Sequence, residues 1–307
     1  MDKEKKIFVF ADFQPYHEEI IGTIYVSQTR GKEFYSFEYD QKWLEKGNMI
    51  LDPDLQMYKG RQYIHDDKKI FGVFADSCPD RWGQRLMKRR EELRAKNAGE
   101  KPRKLLDRHE LAVMCGLNVP EAKAEKFSRL GTTFLVKRFD RIESRRIHFS
   151  SAMTMLGKKD GANAADGSSY LEIVSFLKAN GATPKKDIQE LWKRIVFSMA
   201  VSNTDDHFRN HGFILEEKGW VLSPMYDVNP DIYGEFLSLN VDEDNSAIDF
   251  DLAIEAAPYY AISTEQAKKN VTAIRKTVAD NWRSLAGKYG ISRGEIERMC
   301  PAFQGDV

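Results

Sequence analysis

Residues 187–227 read DIQELWKRIVFSMAVSNTDDHFRNHGFILEEKGWVLSPMYD. Ile188, Leu191, Trp192, Ile195, Val196 and Met199 recur at helical spacing and make a broad apolar face, so 187–203 is expected to be a core helix. HGFILEEKGWVLSP follows as a hairpin, with strands at 211–215 and 220–222 flanking a charged turn closed by Gly219. Between helix and hairpin, SNTDDHFRNHGF (202–213) holds two adjacent carboxylates, two histidines, an arginine and two asparagines. Polar residues concentrated in a connecting loop on a rigid scaffold point to function.

The hairpin dictates which of these residues meet. Asp205 leaves the end of the helix, Asn210 sits at the mouth of the first strand, and Asp227 follows the second strand. A tight hairpin brings its outer ends together, so Asn210 and Asp227 should face each other with Asp205 beside them. A carboxylate and an amide oxygen are hard ligands that suit Mg²⁺, which keeps several waters and is completed by substrate phosphates. A carboxylate left off the metal can accept a proton from an attacking hydroxyl. Base aspartate, metal asparagine and metal aspartate, in that order, are the phosphoryl-transfer arrangement of protein kinases. His207 and His211 have the H-x-x-x-H spacing of a zinc helix, but Gly212 follows and the chain is turning into a strand, so the rings should not share a face. His207 is expected instead to brace the loop by a hydrogen bond.

The rest of the chain bounds the setting. Its 307 residues, 42% hydrophobic, suffice for one large domain or two lobes. Lysine plus arginine equals aspartate plus glutamate at 47 each, which removes any global field for nucleic acid or an anionic membrane. Locally, Arg81–Lys104 carries ten basic residues against three acidic ones. That stretch is either a solvated helix and linker or a contact face for phosphates or an acidic partner. Cys78, Cys115 and Cys300 show no disulfide or metal-ligand spacing, and no apolar run reaches signal-peptide or membrane-span length. A soluble protein of the reducing cytoplasm is expected.

IFVFADF, EIIGTIYVS and EFYSFEYD read as a small antiparallel sheet. DRWGQRLMKRREELRAKN (80–97) reads as a helix capped by Asp80, and NAGEKPRK (97–104) as a polar linker. HELAVMCGLNVP restarts with a short helix ended by Gly116. TTFLVKRFD and RRIHFSSAM are expected as strands, GKKDGANAADGSS as a flexible loop, and SSYLEIVSFLKANG as a helix. From about Thr264 two further helices follow, the second capped by Ser292, and they are expected to pack on the larger lobe. Trp82, Trp192, Trp220 and Trp282 are expected in or near the core.

NTDDHFRNHGF with LSPMYDVNP resembles the catalytic and metal-binding loops of the HipA-like serine/threonine kinases, the toxin half of bacterial toxin–antitoxin pairs. FADSCPDRWGQRLMKRR, GLNVPEAK, FLVKRFDR, RIHFSSAMTMLG and SYLEIV follow in family order, so the likeness covers nearly the whole chain. It implies an α+β, two-lobed HipA-like protein-kinase fold. Residues 1–98 would be an N-terminal β-rich subdomain, 99–110 a junction, and 111–307 the hinge and helical catalytic lobe. It implies ATP and Mg²⁺ as cofactors, a protein serine or threonine as acceptor, and a HipB-like antitoxin as partner. DNA would be met only through that partner, and no membrane is involved. By position, Asp205 would be the catalytic base and Asn210 and Asp227 the Mg²⁺ ligands. Lys137, Phe139 and Asp140 would line the nucleotide hinge, with Asp140 as the polar contact to the sugar.

The chain departs from that pattern in one block. The family's S-x-x-G-A-x-x-K phosphate loop, its ATP-binding lysine and most of the helix bearing the glutamate partner are missing between MKRREELRAKNAGEKPRKLLDRHE and LAVMCGLNVP. The regulatory serine of that loop goes with them, since Ser150 and Ser151 belong to another segment. Glu110 sits too near Gly116 to match the glutamate. GKKDGANAADG lies after the hinge and lacks the order that phosphate cradling requires. Losing several preorganised donors at once should cut the rate severely, because one such donor is worth roughly 10²–10³. Two explanations stay open: a spliced version of a longer active kinase, or a naturally shortened member that keeps its Mg²⁺ ligands but turns over poorly. In the latter case the chain would act as a nucleotide- or antitoxin-binding module. Metal-dependent phosphodiester hydrolysis ranks last, for want of the paired carboxylates that two-metal chemistry uses.

Overall fold

The computed structural model describes residues 4–13, 15–29, 32–47, 50–64, 68, 70–77, 108–128, 131–143, 145–229, 231–232 and 234–303. Two compact units emerge, one of Met1–Ala98 with Asp140–Asp160, the other of Gly99–Phe139 with Gly161–Val307. The helix expected over 80–97 with its Asp80 cap and Trp82, the basic stretch 81–104, the linker 97–104 and Cys78 lie outside the described residues.

The first unit is built on a four-stranded antiparallel sheet in chain order: β1 (Lys5–Ala11), β2 (Glu19–Thr29), β3 (Lys32–Tyr39) and β4 (Arg61–Tyr63). Aromatic and β-branched residues announced the first three. The three residues of β4, RQY, hold a single aromatic, Tyr63, in a run too short to announce a strand. Alternation on β3 turns Phe37 and Tyr39 inward, where they meet Ile21, Ile24, Trp43, Leu55 and Phe71. Where the β1–β2 register slips between Val9 and Phe10, Gly22 leaves no room for a side chain. A Cβ there would stand 2.3 Å from the Glu38 carbonyl oxygen and 2.5 Å from the Phe37 ring.

Residues 140–160 join this unit, and Asp76 is one of the groups that hold them there. RRIHFSSAM is a strand only at Arg145–Arg146 and Phe149–Ser151, and Ala152–Met155 turns helical instead. The cause is Ser151, whose hydroxyl caps the turn by accepting from the Thr154 backbone N–H at 3.1 Å. Asp76 then accepts from Ser151 Oγ (2.6 Å), Ser151 N (2.8 Å) and Thr154 Oγ1 (2.9 Å). Half-buried His148 stacks on Phe13 with ring centroids 4.6 Å apart, its Nε2 closed off from solvent. Burial lowers its pKa from 6.5 to about 4. The unfolded chain therefore binds the proton first as pH falls below 6.5, and folding stability drops until about pH 4. Between pH 7 and pH 5 this site should cost about 2 kcal/mol. His148→Phe should lack that loss when denaturant midpoints are compared at the two pH values, and an equal loss in both proteins would reject the assignment.

The second unit is mostly helical and is organised around the helix Pro184–Ala200. Pro184 occupies its first turn, where the missing N–H costs nothing. Every position of the expected apolar face is buried, and so are Arg194, Phe197, Ser198 and Ala200. The C-terminal half is thus enclosed all round, which periodicity alone does not foretell. Trp192 Nε1 donates to the Ala253 carbonyl (2.8 Å) on the helix Phe250–Ala256. The hairpin forms from Gly212–Glu216 and Gly219–Leu222, one residue from its expected bounds. Gly219 takes φ 132°, and a Cβ there would meet the Asn180 carbonyl oxygen at 2.6 Å, so the hairpin is pressed onto the end of the helix Tyr170–Asn180. The long helix Thr264–Lys288 buries Val271, Ile274, Val278 and Trp282, and Trp282 stacks on Phe303 at 4.4 Å. Trp192 and Trp220 are also buried. No described helix is long and apolar enough to cross a membrane.

The short helix ended by Gly116 is Arg108–Met114, with Gly116 at φ 73°. After it come β5 (Ala122–Ser128), which the sequence did not announce, and β6 (Gly131–Val136). Since β6 stops at Val136, Lys137–Asp140 lies after the strand rather than within it, a correction to the reading of TTFLVKRFD. The loop 157–169 is irregular but fastened: Asn163 Oδ1 accepts from Ala165 N (2.9 Å), Asp166 from Asn163 N (3.2 Å), and Ser168 Oγ donates to Asp166 (2.6 Å).

Candidate active site

The site begins where the central helix ends. Ser202, buried and without glycine's freedom, takes φ 47°, a left-handed conformation that costs about 1 kcal/mol or more and turns the chain back on itself. Asn203 N then donates to the Ser198 carbonyl at 2.8 Å. After this turn the neighbouring aspartates part company. The Asp205 side chain is 78% exposed, whereas that of Asp206 is 3% exposed. Phe208, also buried, anchors the short 3₁₀ turn Phe208–Asn210 that leads into the hairpin.

Asp206 is a buried hub. Its Oδ2 accepts from Tyr170 Oη (2.8 Å) and Ser198 Oγ (3.3 Å), and Oδ1 lies 3.1 Å from His211 Nε2, off the line of a hydrogen bond. Burial pushes this carboxyl upward, but the His211 imidazole and the Tyr170 hydroxyl outweigh it and hold the group below its ordinary range. His207 does not brace the loop through its ring, contrary to expectation. Its Nδ1 is buried without a hydrogen-bond partner, and Nε2 stands 4.0 Å from Asp205 Oδ1. The backbone does the bracing: His207 N donates to the Asp205 carbonyl (3.1 Å), and Asn210 N to the His207 carbonyl (2.8 Å).

The return segment runs antiparallel to this loop and is clasped to it. Ser223 N donates to the Gly212 carbonyl (2.8 Å), and Tyr226 Oη to the Arg209 carbonyl (2.7 Å). Further out, Asn229 N donates to Asn203 Oδ1 (2.9 Å) and Asp231 N to the Ser202 carbonyl (2.8 Å). Asp227 lies between the second and third clasps, exposed and at φ 57°. Gly234 packs so closely on Thr204 that a Cβ would approach Thr204 Cγ2 to 2.2 Å. Met225 N donates to the Asn118 carbonyl (2.8 Å), and Asn118 N to Glu190 Oε1 (2.9 Å). GLNVP is thereby tied both to the central helix and to the entry of the Asp227 segment. Buried Arg194 completes this knot, its Nε 3.1 Å from Glu190 Oε1.

Asp205, Asn210 and Asp227 are therefore carried by two clasped segments of one unit. Asn210 is buried, and its Nδ2 donates to the Asp205 carbonyl at 2.7 Å. With the nitrogen so committed, the amide oxygen is the end left to act as a ligand. Asp227 Oδ1 accepts from Asn229 Nδ2 at 2.7 Å, which fixes the carboxylate's orientation. One carboxylate and one carboxamide oxygen fit a hard, well-hydrated divalent cation. Among the described residues no three His, Cys, Asp or Glu side chains gather as a metal cage, the histidine pair included.

Of the hinge residues, Phe139 stacks on Tyr226 at 5.9 Å and so belongs with the Asp227 segment. Lys137 is exposed and reaches Glu121 (2.9 Å). Asp140 falls in the first unit, where its Oδ2 meets Arg141 Nη1 at 3.2 Å. Glu110 is engaged by Lys288 Nζ (2.7 Å) and Tyr289 Oη (2.5 Å) from the C-terminal end of the long helix. Burial opposes its ionisation, and those two partners still hold it below the usual carboxylate range. Sequence reading missed Asn203, Tyr226 and Asn229. The faint signal for the last was the D-x-N spacing after Asp227.

Family profiles match in two contiguous blocks: the HipA N-terminal domain over residues 16–106 and the HipA-like C-terminal domain over 108–282. A curated relative, "Putative kinase Y4mE" of Sinorhizobium fredii, is 29% identical over 126 residues, which cover 38% of this chain and 30% of that protein. The match thus spans less than a third of the relative's length. Among solved structures, the Shewanella oneidensis MR-1 toxin–antitoxin complex of HipA, HipB and operator DNA aligns over 99% of this chain and 95% of that one, with TM-score 0.63 and 13% identity. The Helicobacter pylori proinflammatory kinase CtkA aligns over 63% of this chain and 78% of its own, with TM-score 0.43 and 14% identity. At such identity the first of these speaks for the fold.

Proposed function

The chain belongs to the HipA-like family, and from that premise we propose that it transfers the γ-phosphoryl group of ATP to a serine or threonine hydroxyl of a protein. The observation that carries the reading is the clasp between 202–212 and 223–231, which holds Asp205, Asn210 and Asp227 along one pair of segments. Asn210 and Asp227 would hold Mg²⁺, which when bound neutralises the charge of the transferring phosphates. Asp205, exposed and off the metal, accepts the proton of the acceptor hydroxyl. Phe139, stacked on Tyr226, and Lys137 would offer the adenine its hinge.

By analogy with the HipA, HipB and operator DNA assembly, we take the partner to be a DNA-binding antitoxin, with DNA met only through it. We take the setting to be the cytoplasm, a reading that the free thiols Cys115 and Cys300 support.

One observation favours a second reading, a nucleotide- or antitoxin-binding module with little turnover. The sequence between the N-terminal subdomain and GLNVP carries no phosphate-loop motif, and Glu110 is occupied by Lys288. Incubation with γ-labelled ATP and Mg²⁺, alongside thermal melts, separates the two. Phosphoryl transfer predicts label on protein and a melt raised by about 2.7 kcal/mol of binding free energy at a hundredfold excess over Kd. A raised melt without label supports the module, and neither signal removes nucleotide from the function altogether.

A further inference from the structure

Asp227 takes a left-handed conformation, φ 57°, and a chain of hydrogen bonds ties its carboxylate back to the central helix. Asn229 Nδ2 donates to Asp227 Oδ1 (2.7 Å), and Asn229 N donates to Asn203 Oδ1 (2.9 Å). Asn203, 1% exposed, sends Nδ2 to Ser198 Oγ (3.3 Å) and its own N–H to the Ser198 carbonyl (2.8 Å). Ser198 is fully buried on the central helix and also donates to Asp206. An unbroken relay thus runs from the buried central helix to one exposed carboxylate: Ser198, Asn203, Asn229, Asp227. Every link carries directional information, because a carboxamide presents a donor and an acceptor on opposite corners. Asn203 uses both, the donor toward the helix and the acceptor toward the return segment. Aspartate in its place would lose the donor, and leucine would lose both.

We propose that Asn203 and Asn229 are positioning residues for the cation site, setting the orientation of the Asp227 carboxylate without touching metal or nucleotide themselves. The inference rests on the reading of Asp227 as a Mg²⁺ ligand. Supporting residues of this kind are worth roughly 10–100-fold in metal affinity when removed, since the ligand must then be ordered at the moment of binding. A purely structural role would lower the melting temperature and leave the affinity of the folded fraction unchanged.

The test uses Mn²⁺ as probe, titrated by electron paramagnetic resonance against the full chain with a non-hydrolysable ATP analogue, on wild type, Asn203→Ala and Asn229→Ala. Asn229 is exposed, so its variant folds even if the buried Asn203→Ala does not. The expected result is ~10–100-fold weaker Mn²⁺ binding in Asn229→Ala with an unchanged circular dichroism spectrum. In transfer assays the Mg²⁺ concentration for half-maximal rate should rise similarly, with most of kcat recovered at saturation. Wild-type Mn²⁺ affinity in Asn229→Ala overturns the inference while leaving the cation site standing. Failure of the wild-type chain to bind Mn²⁺ at all overturns the phosphoryl-transfer reading, and this inference with it.

Discussion

Asp205→Ala should abolish label transfer from ATP, a loss of about 10²–10⁴ in rate, while the protein melts at the wild-type temperature. The two halves of that expectation have separate physical grounds. The side chain is 78% exposed, and His207 Nε2 stands 4.0 Å from its Oδ1, so little stability resides in it. What Asp205 contributes to the loop comes from its backbone carbonyl, which accepts from Asn210 Nδ2 and His207 N. Alanine keeps that carbonyl. The Mn²⁺ affinity and the nucleotide-dependent melt should therefore also survive, because neither proposed cation ligand is altered. Transfer at the wild-type rate would refute the base assignment. Loss of Mn²⁺ binding together with transfer would instead recast Asp205 as a ligand.

Much of this site is legible in the sequence because hairpins are local. The two residues of turn between Glu216 and Gly219 fix the pairing of Phe213 with Leu222, and the pairing fixes which loops run side by side. Apolar periodicity likewise gave the central helix, since burial of Ile188, Leu191, Trp192 and Ile195 follows the helical repeat. What stays hidden depends on contacts remote in sequence or on backbone a residue does not advertise. Ser202 turns left-handed without being glycine, so no turn signal marks the end of the helix. Ser151 interrupts an apparent strand because Asp76, seventy-five residues earlier, takes its hydroxyl. Residues 140–160 accordingly cluster with the N-terminal sheet, although their sequence neighbours belong to the other unit. Lys137 and Phe139 read as strand by composition, yet the ladder ends at Val136. Asn203 looks like one more polar loop residue until its buried position shows both corners of the amide engaged.

Asp206→Ala, one residue along, should behave in the opposite way, and the contrast tests the whole construction. This carboxylate is 3% exposed and meets Tyr170 Oη, Ser198 Oγ and His211 Nε2. Removing it strands the buried Tyr170 phenol and Ser198 hydroxyl, so the loss should be about 3–5 kcal/mol of folding stability. Leucine would fare no better despite its volume, because the stranded donors remain. Asparagine should cost less, since its carbonyl can still accept from Tyr170. The acid limb gives a second, independent reading. The folded-state pKa of Asp206 lies below its ordinary value of 3.8, so the unfolded chain takes up the proton first as pH falls. Its stabilisation is therefore complete above the ordinary carboxylate range and disappears as pH drops through the folded value. The gap in denaturant midpoint between wild type and Asp206→Ala should be full at pH 7 and shrink toward pH 3. His148 titrates in both proteins and cancels from the difference. A gap that is small at pH 7, or that widens in acid, would mean that Asp206 is buried uncharged, and that the turn separating it from Asp205 is held by Phe208 packing rather than by this charge.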